Sequence, residues 1–319
     1  MKNLYRPEGS LISLSENIEY ISSLAGLEKA FTEGKILESS VLLCDSSMRL
    51  HVDLNGILGI IEREEAVFCR EGEIIKDIAV ITRVGKPVCF KIIGFRKENG
   101  KLVAVLSRRA SQKECHVNSL STLRDGDIIP AKVTHLESFG AFVDVGCGLS
   151  SLLTVDNISV SRISHPRDRL NVGDDVYVVV KSRDESSGRL YVSMKELLGT
   201  WQENANMFEV GQTVSGIVRS VEDYGVFVEL APNLAGLAEI REDTRDTDIA
   251  KIGNTTAVYI KSILPDRMKI KLVLIDGYSA AISEKPPKYF IDCQNTKHIS
   301  HWRYSPTHAQ KVVESIFDK

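Results

Sequence analysis

The stretch GDIIPAKVTHLESFGAFVDV, Gly126 to Val145, returns without a gap 85 residues later as GQTVSGIVRSVEDYGVFVEL, Gly211 to Leu230. A repeat of this kind marks one structural unit used more than once. Both copies alternate with period two, the pattern of a half-buried strand. Ala141, Val143 and Val145 share one face, while Phe142 and Asp144 share the other. Val226, Val228 and Leu230 stand likewise against Phe227 and Glu229. Upstream, Ile129, Ala131 and Val133 oppose Lys132 and Thr134; Val214, Gly216 and Val218 oppose Ile217 and Arg219.

Outward from the repeat, further strands are expected at 175–181 and 189–193 in the first copy, and at 256–261 and 269–273 in the second. Turn signals separate them at Asn171-Val-Gly173, Ser186-Ser-Gly188 and Lys251-Ile-Gly253. About five short strands in ~70 residues suit a small closed barrel, which leaves no sheet edge. A weaker third copy lies earlier: 49–54 resembles the second strand and 101–107 the last. It puts His51 at the Phe142 position and Met48 at the Phe139 position, keeping the barrel pattern without the aromatics.

The expected fold is mainly β, with three tandem five-stranded barrels joined by short helical linkers at 111–123 and 195–208. The expected divisions are a helical segment at 1–38, a degenerate barrel at 39–110, two further barrels at 125–197 and 210–276, and a tail at 277–319. One amphipathic helix is expected from Glu16 to Glu33, with Ile18, Ile21, Leu24, Leu27 and Phe31 on its apolar face.

A chain of 319 residues with 43% hydrophobic and 26% charged residues reads as soluble and globular. No apolar run approaches the roughly 20 residues of a membrane span. The start lacks a signal-peptide core, so the cytoplasm is the expected location. The six cysteines, with no C-x-x-C, fit free thiols in a reducing compartment. A net charge of −3 argues against coating of any duplex by charge alone. It leaves open single strands, where base stacking shares the energy with a local basic groove.

Phe142 and Phe227 share their strand face with acids and so point away from the barrel core. Phe139 and Tyr224, three residues earlier, would turn inward under strict alternation. A bulge at the intervening Gly140 and Gly225 would bring both rings of each pair to the outer face. Paired exposed rings make a platform for unpaired bases, each stack contributing ~1–3 kcal/mol. Lys132 and Arg219 flank the pairs on the neighbouring strand. The alternative reading has the rings capping a barrel end or filling an interdomain contact.

These residues resemble the S-one RNA-binding domain, named after a bacterial small-subunit ribosomal protein. The middle copy matches through Ser138-Phe-Gly-Ala-Phe-Val143, Gly173-Asp174, Asp184 and Gly188-Arg-Leu-Tyr-Val-Ser193. The last copy matches through Asp223-Tyr-Gly-Val-Phe-Val228, Gly236-Leu237, Gly253 and Lys269-Ile-Lys-Leu272. The resemblance covers roughly 40–275 and implies OB-fold barrels with RNA lying across the second and third strands. It implies that Phe139 and Phe142 stack bases, that Arg189 contacts phosphate or base edges, and that Asp184 orients it or accepts a base hydrogen bond. Tyr224, Phe227 and Lys269 correspond in the last copy; Lys132 and Arg219 are added from strand phase. Asp184 and Arg189 also suit a local turn salt bridge, and both roles can coexist. The family's third-strand histidine falls at Thr154 and Glu239, and Glu239 would repel phosphates, which ranks the middle barrel first.

Other clusters carry less. Ser161 to Arg169 holds three arginines and His165 in a loop, either extending a positive groove or simply solvated. Cys293, His298, His301 and His308 lack the spacing of a structural zinc site, so no metal is expected. His298, Trp302 and Tyr304 instead suit docking of the tail, and Trp201 suits an apolar anchor. No catalytic motif or metal-binding acid cluster is visible, so neither an enzyme, a cofactor nor a small-molecule substrate is expected. The resemblance therefore implies an RNA-binding protein that holds messenger RNA at the small ribosomal subunit. The competing reading is an RNA-binding adaptor or regulator of RNA decay or transcription that is not bound to the ribosome.

Overall fold

A computed structural model describes residues 5–69, 72, 74–184, 188–239, 251–278 and 287–318, with backbone alone at 276–278. Ser186 and Ser187 of the expected turn lie outside the described residues. The first barrel comprises β1 (Leu37–Cys44), β2 (Leu50–Leu54), β3 (Ile57–Ile61), β4 (Pro87–Glu98) and β5 (Lys101–Ser107). The middle barrel comprises β6 (Ile128–Glu137), β7 (Gly140–Asp144), β8 (Ser150–Thr154), β9 (Asp175–Arg183) and β10 (Leu190–Ser193). The last comprises β11 (Thr213–Glu222), β12 (Gly225–Ala231), β13 (Leu234–Ala238), β14 (Thr255–Leu264) and β15 (Lys269–Tyr278).

Each five-stranded sheet closes with its strands in the order first, second, third, fifth, fourth. The third and fifth strands run parallel, as in Leu58↔Val103, Leu152↔Tyr191 and Leu237↔Lys271. This is the OB-fold arrangement, and closure removes the unpaired edges that an open sheet would expose.

The inward phase is as the alternation requires. Ile129, Ala131, Val133, Ala141, Val143 and Val145 are buried in the middle barrel, and Val218, Val226 and Val228 in the last. Leu230 departs from it: the register shifts between Glu229 and Ala231, so Ala231 is buried and Leu230 is only half-buried.

The chain divides into two compact units. The first holds Met1–Leu123 with Pro130–Lys132 and Asp144–Ser150. Here the single expected helix is two, α1 (Ser15–Ile21) and α2 (Leu24–Glu33). Ser23 is extended, and its hydroxyl accepts the Gly26 N–H to cap the second helix. The break re-aims the faces: Tyr20, Leu27 and Ala30 are buried, whereas Ile18, Leu24 and Phe31 are exposed. The unit also carries α3 (Asp77–Ile81) and α4 (Arg108–Asn118), the latter capped by the Ser107 hydroxyl. The six cysteines are free, but Cys89, Cys115 and Cys147 are all buried and hydrogen-bonded through Cys147.

The second unit holds Arg124–Ile129, Val133–Val143 and Ser151–Lys319. It carries α5 (Val155–Ile158) and α6 (Trp201–Ala205), with a 3-10 turn at Lys195–Leu198 before α6. Trp201 is buried against the last barrel's core together with Trp302 and Tyr304 of the tail. The tail forms a small hairpin of β16 (His301–Arg303) and β17 (Glu314–Ile316). Among the described residues no helix is long and apolar enough to cross a membrane.

Candidate nucleic-acid interface

Phe139 occupies the two-residue turn between β6 and β7 and is 52% exposed, while Phe142 is half-buried on β7. Their ring centroids lie 6.0 Å apart with planes at 90°. Tyr224, 65% exposed, and Phe227 repeat the arrangement at 6.2 Å and 89°. Edge-to-face contact at this distance is favourable between aromatic rings. Two bases stacked one on each ring would lie in nearly perpendicular planes, so a strand crossing the pair turns between them.

The expected glycine bulge is not what joins the rings. Gly140 and Gly225 open their strands directly after the turn. A Cβ on Gly140 would lie 2.5 Å from Leu153 O, and one on Gly225 would lie 2.7 Å from Ala238 O. These glycines let the second strand approach the third, and the turn delivers the first ring to the outer face. The first strand of the last barrel bulges instead between Val218 and Ser220, at Arg219.

The remaining site residues are distributed as follows. Asp184 and Arg189 face each other at one barrel end, where the Asp184 N–H donates to Arg189 O at 2.9 Å. Arg189 is exposed and Asp184 half-buried. Lys269 is exposed opposite Leu264. Lys132 on β6 ends with Nζ 3.5 Å from the place a Cβ on Gly9 would take, against the N-terminal segment. Arg219 is only 9% exposed, its Nε 2.7 Å from Glu229 Oε2 and an Nη 3.5 Å from Asp168.

The acids on the ring-bearing face are buried, contrary to their expected exposure. Asp144 is 2% exposed and accepts the N–H groups of Glu8 at 2.7 Å, Gly146 at 2.8 Å and Gly148 at 3.0 Å. Burial, helped by the Glu8 carboxylate, pushes its pKa up to about 7. Glu8 in turn takes Arg108 in a two-point pair at 2.7 and 2.9 Å. The Cys115 and Cys89 thiols, bonding to Cys147, pull the latter down to about 5. Glu229, 5% exposed, accepts both Arg169 and Arg219. Burial lowers the Arg169 pKa, since a guanidinium ion loses hydration there.

Two ring residues escaped the sequence reading. His135 is exposed and stacks on Phe142, with centroids 6.3 Å apart and planes at 29°; its Nε2 is 2.7 Å from Glu137. Alternation would turn His135 inward, but Thr134 and His135 are both exposed before Leu136 is buried. An imidazole at an inward phase was the available signal. Tyr191, half-buried on β10, pairs with Leu152 and occupies the place that exposed Lys271 takes in the last barrel.

The other clusters resolve into local pairings. Within the Ser161–Arg169 loop, Arg162 and Arg167 are exposed, Arg169 is taken by Glu229, and the Arg167 N–H donates to His165 Nδ1 at 3.1 Å. His298 lies 2.9 Å from Asp127 and 3.2 Å from Asp318, and His301 lies 3.0 Å from Glu314. Among the described residues no group of three or more His, Cys, Asp and Glu side chains is arranged to hold a metal ion.

A family model described as the S1 RNA binding domain matches residues 122–195. The chain is 28% identical over 298 residues to "Small ribosomal subunit protein bS1" of Leuconostoc lactis, covering 88% of this chain and 66% of that protein. It is 28% identical over 277 residues to the protein of the same name from Rhizobium meliloti, covering 83% and 47%. The counterpart from Staphylococcus aureus strain COL is 33% identical over 175 residues, covering 53% and 44%. The chain thus spans about half to two thirds of the length of these relatives. The solved structure of GSP13 from Bacillus subtilis matches 23% of this chain and 57% of its own, at 28% identity and a TM-score of 0.22.

Proposed function

The chain is an S1-family protein, and from that premise we propose that it binds single-stranded RNA and holds messenger RNA at the small ribosomal subunit in the cytoplasm. The reading is of a binding protein rather than an enzyme. One observation carries it: an edge-to-face ring pair, exposed on the outer face, occurs at the same strand positions in two successive barrels. Phe139 and Phe142 stack bases in the leading site, with Arg189 and Asp184 serving phosphate or base edges. Tyr224, Phe227 and Lys269 serve a second site. Arg219 positions Glu229 rather than meeting phosphate, and Lys132 contributes at most a peripheral charge. Binding is weak per barrel and strengthened because two barrels share one strand. The first barrel, with Met48 and His51 in place of the rings, serves protein docking or spacing.

The test is titration of fluorescent oligo-uridylate with the intact chain and with Phe139→Ala combined with Phe142→Ala. The double variant is expected to bind at least about tenfold more weakly, since loss of two stacks exceeds ~1.4 kcal/mol. Unchanged affinity in a folded variant sinks the platform. Co-sedimentation with the small subunit at low salt tests the ribosomal part. Its absence, with RNA binding intact, assigns the chain instead to the adaptor reading.

A further inference from the structure

Asn157, buried in α5, accepts two ammonium groups on a single oxygen. Lys181 Nζ lies 3.1 Å and Lys195 Nζ 3.0 Å from Asn157 Oδ1. The two charges are therefore no more than about 6 Å apart, one arriving from β9 and the other from the turn before α6. Like charges this close repel, and a neutral amide oxygen does not cancel either of them. The acid that senses both is Asp156, whose pKa is lowered first by the Thr154 hydroxyl at 2.6 Å and less by the two lysines. Asp156 is the carboxylate these two ammonium groups share directly, while the buried Glu196 is one hydroxyl further off, held by Ser193 and Ser315.

This lysine node is held by hydrogen bonds and is tied to the ring-bearing turn. Asn157 Nδ2 donates to Thr154 Oγ1 at 2.6 Å, and Asn157 O accepts the Met194 N–H at 2.8 Å and the Ser193 hydroxyl at 3.2 Å. Two residues before Asn157, the Val155 N–H donates to Phe139 O at 2.9 Å, which ties the same short segment to the ring-bearing turn. Lys181 is exposed and Lys195 half-buried, so neither side chain is sealed in the core. By the register that sets Tyr191 against Lys271, the last barrel has Lys261 and Ile275 at these positions, so it lacks the second charge.

We propose that Lys181 and Lys195, aligned by Asn157, form a fork that binds a backbone phosphate of RNA stacked on the middle barrel's rings. The inference rests on the RNA-binding reading above and adds to it a phosphodiester subsite. Asn157 acts as a positioning residue; the lysines make the contact.

The experiment is oligo-uridylate binding across a salt series with the full chain, using Lys181→Gln combined with Lys195→Gln. Glutamine keeps a donor for Asn157 and removes the charge. Loss of one neutralised phosphate makes the plot of log affinity against log salt shallower by about 0.7. Affinity at low salt should fall about three- to tenfold. Phe139→Ala with Phe142→Ala should lose affinity while keeping the slope. An unchanged slope in the lysine variant overturns the fork even if the ring variant behaves as expected. Unchanged affinity in the ring variant overturns the underlying reading instead. Lys195→Ile, which copies the last barrel, provides a second variant should the glutamine pair not fold. It must also flatten the slope, and an unchanged slope there counts equally against the fork.

Discussion

Asp144 and Glu229 stand at the same strand position 85 residues apart, and the two barrels bury them by different chemistry. The shorter aspartate is wrapped by backbone N–H groups from Glu8, Gly146 and Gly148. The longer glutamate reaches two guanidinium groups, Arg169 and Arg219. Amide donors satisfy an acid without supplying a full counter-charge, so Asp144 sits near its protonation point. Guanidinium donors supply the charge but are consumed in doing so. In the last barrel the arginine that strand phase sets beside the ring pair is paired with Glu229 and Asp168, whereas Thr134 holds the corresponding place in the middle barrel.

The largest effect should come from removing the acid that two cations share. Glu229→Ala leaves Arg169 buried without its carboxylate and Arg219 with only Asp168 at 3.5 Å, and stranding buried charge in this way costs about 3–5 kcal/mol. Urea unfolding followed through Trp201 and Trp302, both buried in the last barrel's cluster, should report the loss. A change below about 1 kcal/mol would mean that the pair is solvated and that the comparison with Asp144 is void.

A smaller, pH-dependent effect is expected from Asp144. Its folded pKa, about 7, lies above its ordinary value of 3.8. The neutral form is therefore favoured by folding, and the stability it contributes is complete below about pH 4 and lost as pH rises through about 7. Cys147, pulled down to about 5, contributes in the opposite sense, its stability being lost as pH falls through that value. Subtracting the curve for Asp144→Asn removes the shared thiol contribution. The difference between wild type and variant should decline between about pH 4 and pH 7. A flat difference would show that Asp144 stays ionised throughout and that its amide donors outweigh burial.

What could be read from the chain and what could not divides along sequence separation. Strand phase is local, so the inward sets around Val143 and Val228 and the outward Phe142 and Phe227 follow from neighbours two residues apart. Phe139 and Tyr224, by contrast, reach the outer face because they sit in turns. The fate of the acids is not local. Glu8 reaches Asp144 from 136 residues away, and Arg169 reaches Glu229 from 60. A period-two pattern separates barrel interior from exterior, but it cannot distinguish an exterior covered by another segment from one facing water. The helix break at Ser23 had a local signal, a serine cap inside an apolar periodicity, which the five apolar residues at helical spacing outweighed. The lysine node at Asn157 gathers three segments and had no signal at all.

The smallest effect concerns the third ring. His135 lies over Phe142, while the last barrel has Ser220 at the equivalent place, so the platforms differ by one imidazole. The ring is mostly exposed and held by Glu137, and its separation from Phe142 is long for stacking. It should therefore contribute less than the ~1 kcal/mol lower bound for a base stack. His135→Ser, which copies the last barrel, is expected to weaken oligo-uridylate binding about two- to threefold. His135→Phe should restore it, because the contribution is that of a flat ring rather than of charge. If the serine variant binds as tightly as wild type, the imidazole shields Phe142 without touching a base. If the phenylalanine variant stays weak, a hydrogen bond from the imidazole is the contact, and the two platforms differ in polarity rather than in ring count.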